Sequence, residues 1–362
     1  MPKTTSATGS AIAVSVVVPT CGRMDLLDRC LDALTRQTLP AGSYEVIVVD
    51  DEPNHNTLHL VAGWRARTLD RGPRLVYLPN SAEHGQHGPA AARNLGWRAA
   101  QAPIVAFTDD DGVPSPSWLA QGLAAFGEEV DVLCGLVDKP PLAGPFAAQP
   151  RPAQRQGQGG DSVAAPEVCV TNCFCRKHVL QALQGFDERF EQSCHGDADL
   201  HFRLLGMGAR IVSALDAVVV QPVPPMPWGA SLAHTRRAVF DALLYKKHPQ
   251  LYCEKIGAIP PLEYYLATAA LAVALGALLA GAGVMATVAG LAWLGLTARL
   301  CAQRLRGGSA SPGARAGAHS PGTRSPNTVL HVLDMIVTSA LIPPLAVFWR
   351  LVGAVRYRVR FT

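Results

Sequence analysis

From Tyr265 to Ala298 the chain carries no charged residue. That run is longer than one membrane crossing needs, since roughly 20 residues span a bilayer. A buried soluble helix of that length is a poor alternative. The run predicts a hairpin of two short helices within 261–300, turning near Gly281-Ala282-Gly283. Ala272, Gly276 and Ala280 offer a small-xxx-small face for the helix contact. A chain of 362 residues with such a segment near its end divides into a soluble part and a membrane-associated part.

The flanks of the hairpin agree with this division. Residues 223–260 read as an amphipathic, membrane-proximal segment, with Ala238, Val239, Ala242 and Leu243 on one side of a helix and basic groups elsewhere. Residues 301–327 form a basic linker rich in Gly, Ser and Pro. A second apolar stretch follows, holding Asp334 and Pro343-Pro344 and ending in Arg350, Arg356, Arg358 and Arg360. Basic segments favour the cytoplasmic side. Three full crossings would put that tail outside, so 328–362 is expected to be re-entrant or interfacial, with a third span as the alternative. The expected location is the cytoplasmic (inner) membrane, with the soluble part in the cytosol.

Composition excludes some partners. Lys and Arg number 32 against 28 Asp and Glu, an excess too small to suggest nucleic acid. The nine cysteines show no CxxC pair and lie mostly in apolar runs, as reduced thiols packed in a core do. Cys169, Cys173 and Cys175 are spaced as on a strand and read as packing, not as a metal cluster.

The first 222 residues alternate between strand and helix. After a polar tail at 1–10, apolar runs at 11–18, 44–50, 74–78 and 103–108 read as buried strands. Helical patterns occupy 23–37, 89–101 and 115–126, the last with Ser115 as its expected cap. Strand signal returns at 168–175 and 218–222, with helices near 177–184 and 197–207. The Pro-, Gln- and Gly-rich stretch 139–166 is expected to be a mobile loop. This order predicts an α/β fold: a mostly parallel sheet with helices on both faces.

The fourth strand delivers Asp109-Asp110-Asp111. Like charges this close require water or a cation among them. In extended chain alternate side chains point the same way, so Asp109 and Asp111 face one site and Asp110 another. Ligands bind at the carboxyl ends of strands in such sheets. Two carboxylates there suit Mg2+ or Mn2+. Pro19-Thr20 and Asp50-Asp51 end the first two strands, and Arg93-Asn94 lie on the helix before the aspartates. An arginine facing metal-bound phosphate completes a nucleotide site. HGQHG at 84–88 reads as a loop over that site.

These segments in this order, VSVVVPTCGR, IVVDDEP, GPAAARNLG, TDDDG and HGDADL, resemble an inverting family 2 glycosyltransferase of glycosyltransferase-A fold, over roughly residues 13–222. The resemblance implies donor contacts at Pro19, Thr20, Arg23, Asp50, Arg93, Asp109 and Asp110, with Asp50 on the nucleobase. It implies metal held by Asp109 and Asp111, a general base at Asp197, and acceptor contacts at Asn172 and Asp199. The family's GEDxDL reads HGDADL here, with Gly196 in place of the Glu. The implied donor is a nucleoside-diphosphate sugar, UDP being the expected nucleotide. The acceptor would be membrane-associated: a lipid-linked saccharide, a polyprenyl phosphate or a polysaccharide. No QxxRW motif of processive members follows the base. Two other readings remain open on sequence: a haloacid-dehalogenase-like phosphatase using Asp109 and Asp111, and an inactive membrane scaffold.

Overall fold

The computed structural model describes residues 12–81, 86–139, 167–191, 195–222, 228–257, 262–305 and 328–360. The expected tail at 1–10, the loop at 140–166 and the linker at 306–327 lie outside the described residues. The described residues form two compact units, one within 12–222 and the other within 228–360.

The first unit holds one eight-stranded sheet. Its strands are β1 (Val14–Thr20), β2 (Tyr44–Asp50), β3 (Arg74–Pro79), β4 (Ile104–Phe107), β5 (Val113–Pro114), β6 (Val132–Asp138), β7 (Cys173–Arg176) and β8 (Ile211–Val220), in the order β3-β2-β1-β4-β7-β6-β8-β5. The pairs β1–β2, β1–β4, β2–β3 and β6–β8 are parallel. β7 runs antiparallel to both β4 and β6, and β5 antiparallel to β8. The sheet is therefore mixed: parallel through its first half, antiparallel where β7 is inserted.

Strict alternation along the strands builds two cores. Val14, Val16, Val18, Val46 and Val48 pack with Leu27, Leu31 and Leu34 of α1 (Met24–Thr35), Val61 of α2 (His55–Thr68) and Trp118 of α4 (Trp118–Ala125). Val17, Ile47 and Val49 point the other way, against Ala92 and Trp97 of α3 (Pro89–Ala99), Leu180 of α5 (Lys177–Leu183) and Leu200 of α6 (Gly196–Gly206). Strands covered on both faces have no solvent side, which is why their sequences read as unbroken apolar runs.

The structure corrects three boundaries. α2 has no counterpart in the sequence reading; Thr57 and Val61 are its only buried residues, too few to give a 3.6-residue pattern. Residues Val170–Asn172 form a 3-10 turn, so the strand begins at Cys173. Ser117, not Ser115, precedes α4, and Ser115 donates its backbone N–H to Val218 O.

The second unit contains α7 (Ala230–Thr235), α8 (Ala238–Lys247), α9 (Pro249–Tyr252), α10 (Leu262–Leu279), α11 (Gly283–Leu305) and α12 (Thr328–Arg356). α10 and α11 make the expected hairpin, and Gly281 takes a left-handed φ of 72° at its turn. α10, α11 and the 333–356 part of α12 are long and apolar enough to cross a membrane. The expected small-residue face is displaced: a Cβ on Gly276 would meet nothing within 4 Å, and the buried small residues are Ala267 and Ala277. All described cysteines are free thiols.

Close packing gives a paired test in the first unit. A Cβ at Gly122 would lie 2.3 Å from the Phe174 ring, whereas one at Gly63 in α2 meets nothing within 4 Å. Gly122→Ala is expected to destabilise the protein by about 1–3 kcal/mol. Gly63→Ala is expected to stabilise it by about 0.5–1 kcal/mol. Denaturant melts of the solubilised full chain measure both.

Candidate active site

β1 and β2 end in step, Thr20 beside Asp50. β4 stops at Phe107, opposite Val17, three residues short of the end of β1. The gap above β4 is filled by the turn Thr108–Gly112. Thr108 donates its N–H to Val17 O at 3.3 Å, and Asp51 donates to Thr20 O at 2.8 Å. Odd residues of β1 thus bond towards β4 and even ones towards β2. Pro19, which has no N–H, falls where β4 has already left the ladder, so no sheet bond is lost. Its role is in the backbone.

The turn separates the three aspartates. Asp109 accepts from Arg93 Nη2 at 2.7 Å and from Thr171 Oγ1 at 2.8 Å. Asp110 accepts from Thr20 Oγ1 at 2.8 Å and from Arg23 through Nε and Nη2. Asp111 accepts from Gln221 Nε2 at 2.8 Å, with Arg23 Nη1 3.5 Å away. Asp110 has no exposed side-chain surface, while Asp109 keeps 20% and Asp111 23%. Asp110 thus differs from its neighbours in exposure, but the segment is a turn closed by Gly112 N donating to Asp109 O at 3.0 Å, not the extended chain that the expected alternation assumed. The expectation of Asp110 as a donor contact does not hold either: it is interior, and it supports the turn through Thr20 and Arg23.

Burial and arginines set the charge of this cluster. Burial would raise the Asp109 carboxyl, but Arg93 and the Thr171 bond outweigh it and hold it below the usual range. For Asp110 burial wins over Arg23 and Thr20, and its pKa is pushed up to about 6. Two guanidiniums therefore sit among three carboxylates, a cation pairing that the triplet alone did not specify.

Arg93 also reaches towards Asp197. It lies on α3, whose backbone is drawn close to the sheet by Gly96: a Cβ there would sit 2.4 Å from Val17 Cγ1. The guanidinium is buried, stands 5.8 Å from the Phe186 ring centroid, and leaves Nε without a partner. Asp197 is in the first turn of α6 and accepts from Val170 N at 3.2 Å. Burial raises its pKa to about 6, against the pull of the Arg93 charge and with a push from Asp109. Asp197 thus lies in the electrostatic field of Arg93 and Asp109.

The other expected contacts divide. Asp50 is fully buried; Oδ2 accepts from Tyr77 Oη at 2.9 Å and Asn54 N at 3.3 Å, and Oδ1 has no partner. Its neighbour Asp51 takes Gly88 N on both oxygens, at 2.9 and 2.8 Å, and Asn80 Nδ2 at 2.7 Å, fixing the start of α3. His87 Nδ1 lies 2.9 Å from Asp51 O, and His84 is outside the described residues. Asn172 is not placed for an acceptor. It is fully buried, donating to Leu136 O and Ala217 O and accepting from Trp118 Nε1. Asp199 is also fully buried and pairs with Arg203 Nε at 2.8 Å, a structural ion pair within α6.

Sequence reading missed Thr171 and Gln221. Both hold a site carboxylate, yet neither residue type stands out within its strand-like surroundings. Among the described residues no group of three or more His, Cys, Asp or Glu side chains converges on a metal position. A hard divalent cation at Asp109 and Asp111 would thus have two protein carboxylates and would complete its shell from ligand and water oxygens.

Residues 15–183 match the sequence profile of glycosyl transferase family 2. This segment, somewhat under half of the chain, is a domain of that family. Glycosyltransferase AglE of Haloferax volcanii is 29% identical over 214 residues, 59% of this chain and 67% of that protein. Validoxylamine A glucosyltransferase of Streptomyces hygroscopicus subsp. jinggangensis is 37% identical over 119 residues, 33% of this chain and only 26% of that protein. Mannosyltransferase PcManGT from Pyrobaculum calidifontis, solved in complex with GDP-Man and Mn2+, has a similar fold: TM-score 0.51 and 21% identity, covering 92% of this chain and 86% of that one. The chain is a glycosyltransferase with a glycosyltransferase-A-like sheet. The phosphatase reading finds no support here. Asp197 lies beyond the profile-matched segment, so its role rests on geometry.

Thr171 carries the test of this geometry. Thr171→Val keeps the shape but removes one hydrogen bond from Asp109, about 1 kcal/mol. Nucleotide binding in the presence of Mn2+ is expected to weaken roughly fivefold by calorimetry. In EDTA the two proteins should bind alike.

Proposed function

We propose that this chain is an inverting transferase. It moves a sugar from a nucleoside-diphosphate sugar to a hydroxyl or phosphate of a membrane-associated acceptor by single displacement. The observation that carries the reading is Arg93, which is buried, paired with Asp109 and in the field of Asp197. One cationic group thereby links the donor side of the site to its base.

Each residue then has a task. Asp109 and Asp111 would hold Mg2+ or Mn2+, and the bound ion would neutralise charge on the leaving diphosphate. The charge balance fits: Asp109, Asp110, Asp111 and Asp197 against Arg23 and Arg93 leave two negative charges. PcManGT, of similar fold, binds GDP-Man with Mn2+. Arg93 stabilises the same leaving charge from within the protein. Asp197 takes the proton from the acceptor hydroxyl, and that oxygen attacks the anomeric carbon from the face opposite the nucleotide. A UDP-sugar is the expected donor. The apolar helices α10 and α11 support an acceptor at a membrane, with the catalytic unit on its cytosolic side.

Gly196 does not argue against the base. A Cβ there would meet only Phe190 Cβ, at 3.9 Å, and the position opens α6. A Cβ is therefore tolerated at this position, and a carboxylate at a helix N-terminus is favourable. Gly196→Glu is expected to retain activity and to stabilise the protein by about 0.5 kcal/mol. Loss of folding in a thermal melt would show that Gly196 is required.

The function is tested by titrating the solubilised protein with UDP, GDP and dTDP, with Mn2+, with Mg2+ and with EDTA. Metal-dependent binding of one nucleotide is expected, and it should be lost in Asp111→Asn without loss of fold. Absence of binding by the folded protein under every condition rejects the reading. The pH profile tests the base. Asp197 is active when ionised, and its pKa stands at about 6. The acid limb of kcat/KM should fall near pH 6, with activity lost as pH drops below it. Asp197→Asn should lower kcat by about 10²–10⁴.

A further inference from the structure

α7 and α8 accompany α12 along most of its length. Asp334 Oδ1 accepts from Gly229 N at 2.9 Å, just before α7. Further along, Arg236 lies 5.7 Å from the Trp349 ring centroid, and Arg350 Nη1 is 3.4 Å from Asp241 Oδ2. A Cβ on Gly353 would sit 2.6 Å from Val239 O, so the two backbones touch. Lys246 Nζ donates to Tyr357 O at 2.8 Å. These contacts extend from residue 334 to residue 357, about 34 Å of helix at 1.5 Å per residue.

Whatever depth α12 occupies, α7 and α8 share it. If α12 crossed the bilayer, it would take Arg236, Arg237, Asp241, Lys246 and Lys247 with it. A charged side chain at the centre of a membrane helix costs about 2.5–3.5 kcal/mol. Arg236 and Lys246 are exposed, so at that depth they would face lipid. The hairpin carries no such load: from Tyr265 to Ala298 it has no charge at all.

The uncovered side of α12 is apolar. Leu333, Val337, Leu341, Phe348 and Val355 are all exposed and recur at intervals of four and seven, one stripe along the helix. The opposite side, with Asp334, Thr338, Ser339, Arg350 and Gly353, is the packed one. The whole assembly joins the hairpin at its open end. Arg304 near the end of α11 donates to Ser231, Thr338 and Ser339, and Arg299 pairs with Glu263 at the start of α10 at 2.9 Å.

We propose that only α10 and α11 cross the membrane, and that α12 lies with α7 and α8 in the bilayer interface. Its apolar stripe enters the acyl region, and the basic groups of α8 and the tail meet anionic headgroups. Two crossings return the chain to the side from which it entered, so the arginine tail ends on that side. The proposal rests on the hairpin's being membrane-spanning, but not on the catalytic reading.

Fusions of the full chain in a Gram-negative host test it. Alkaline phosphatase inserted after Ala282 is expected to be active, and a fluorescent protein fused after Thr362 to be bright. Inactive phosphatase at 282 would sink the hairpin itself. Active phosphatase fused after Thr362, with 282 also active, would show a third crossing and overturn the placement of α12. A lipid-soluble carbene probe in the same membranes distinguishes an interfacial helix from a merely cytosolic one. Labelling is expected at Leu341 and Phe348 and at least tenfold less at Asp334 and Gly353. Labelling of both faces, or of neither, overturns the proposal.

Discussion

The buried pair of Arg93 and Asp109 is the interaction on which the rest of the site depends. A guanidinium taken from water needs a carboxylate, and a carboxylate taken from water needs a guanidinium. Neither residue can be interior without the other. Gly96 lets α3 approach β1 and β2 closely enough to deliver Arg93, and the early end of β4 leaves room for the turn that delivers Asp109. Asp51 fixes the start of the same helix through Gly88 N. The ion pair thus ties α3 to the turn after β4, and Asp197 of α6 lies within its field.

The middle aspartate has a different part. Asp110 sits under the turn with Thr20 and Arg23, and so joins the end of β1 to the turn after β4. Arg23 reaches Asp111 with its remaining nitrogen. Its fork is half-exposed and holds carboxylates, so in this structure it acts on the acidic turn directly. Three adjacent carboxylates therefore repel less than their sequence suggests. Each has its own neutral or cationic donor, and the turn keeps the Asp110 side chain interior while the other two stay partly exposed.

Much of this was legible because the first unit follows simple rules. Unbroken apolar runs marked strands covered on both faces, and carboxylates at their ends marked the ligand edge. The hairpin was legible from length and charge alone. α2 was not, since an amphipathic pattern needs a buried stripe and Val61 is nearly all it has. Asn172 and Asp199 looked functional because polar residues in motif-like stretches invite that reading. Their partners, Trp118 with Leu136 and Ala217 in one case and Arg203 in the other, come from packing that sequence spacing only hints at. Thr171 and Gln221 were missed for the converse reason: a hydroxyl and an amide acquire meaning only from the carboxylate they face.

The same electrostatic rule links the two units. In the catalytic unit the buried guanidinium of Arg93 stands beside the carboxylate of Asp109. In the second unit the hairpin excludes charge, while α8 pairs Asp241 with Arg350 and carries its other charges outward. The positive residues of that segment surround α12 but avoid α10 and α11 between Tyr265 and Ala298. A helix packed on a charged neighbour cannot be treated as a span on its own hydropathy. Its partner's solvation belongs to the same free energy, and by that measure α12 differs from the two helices before it.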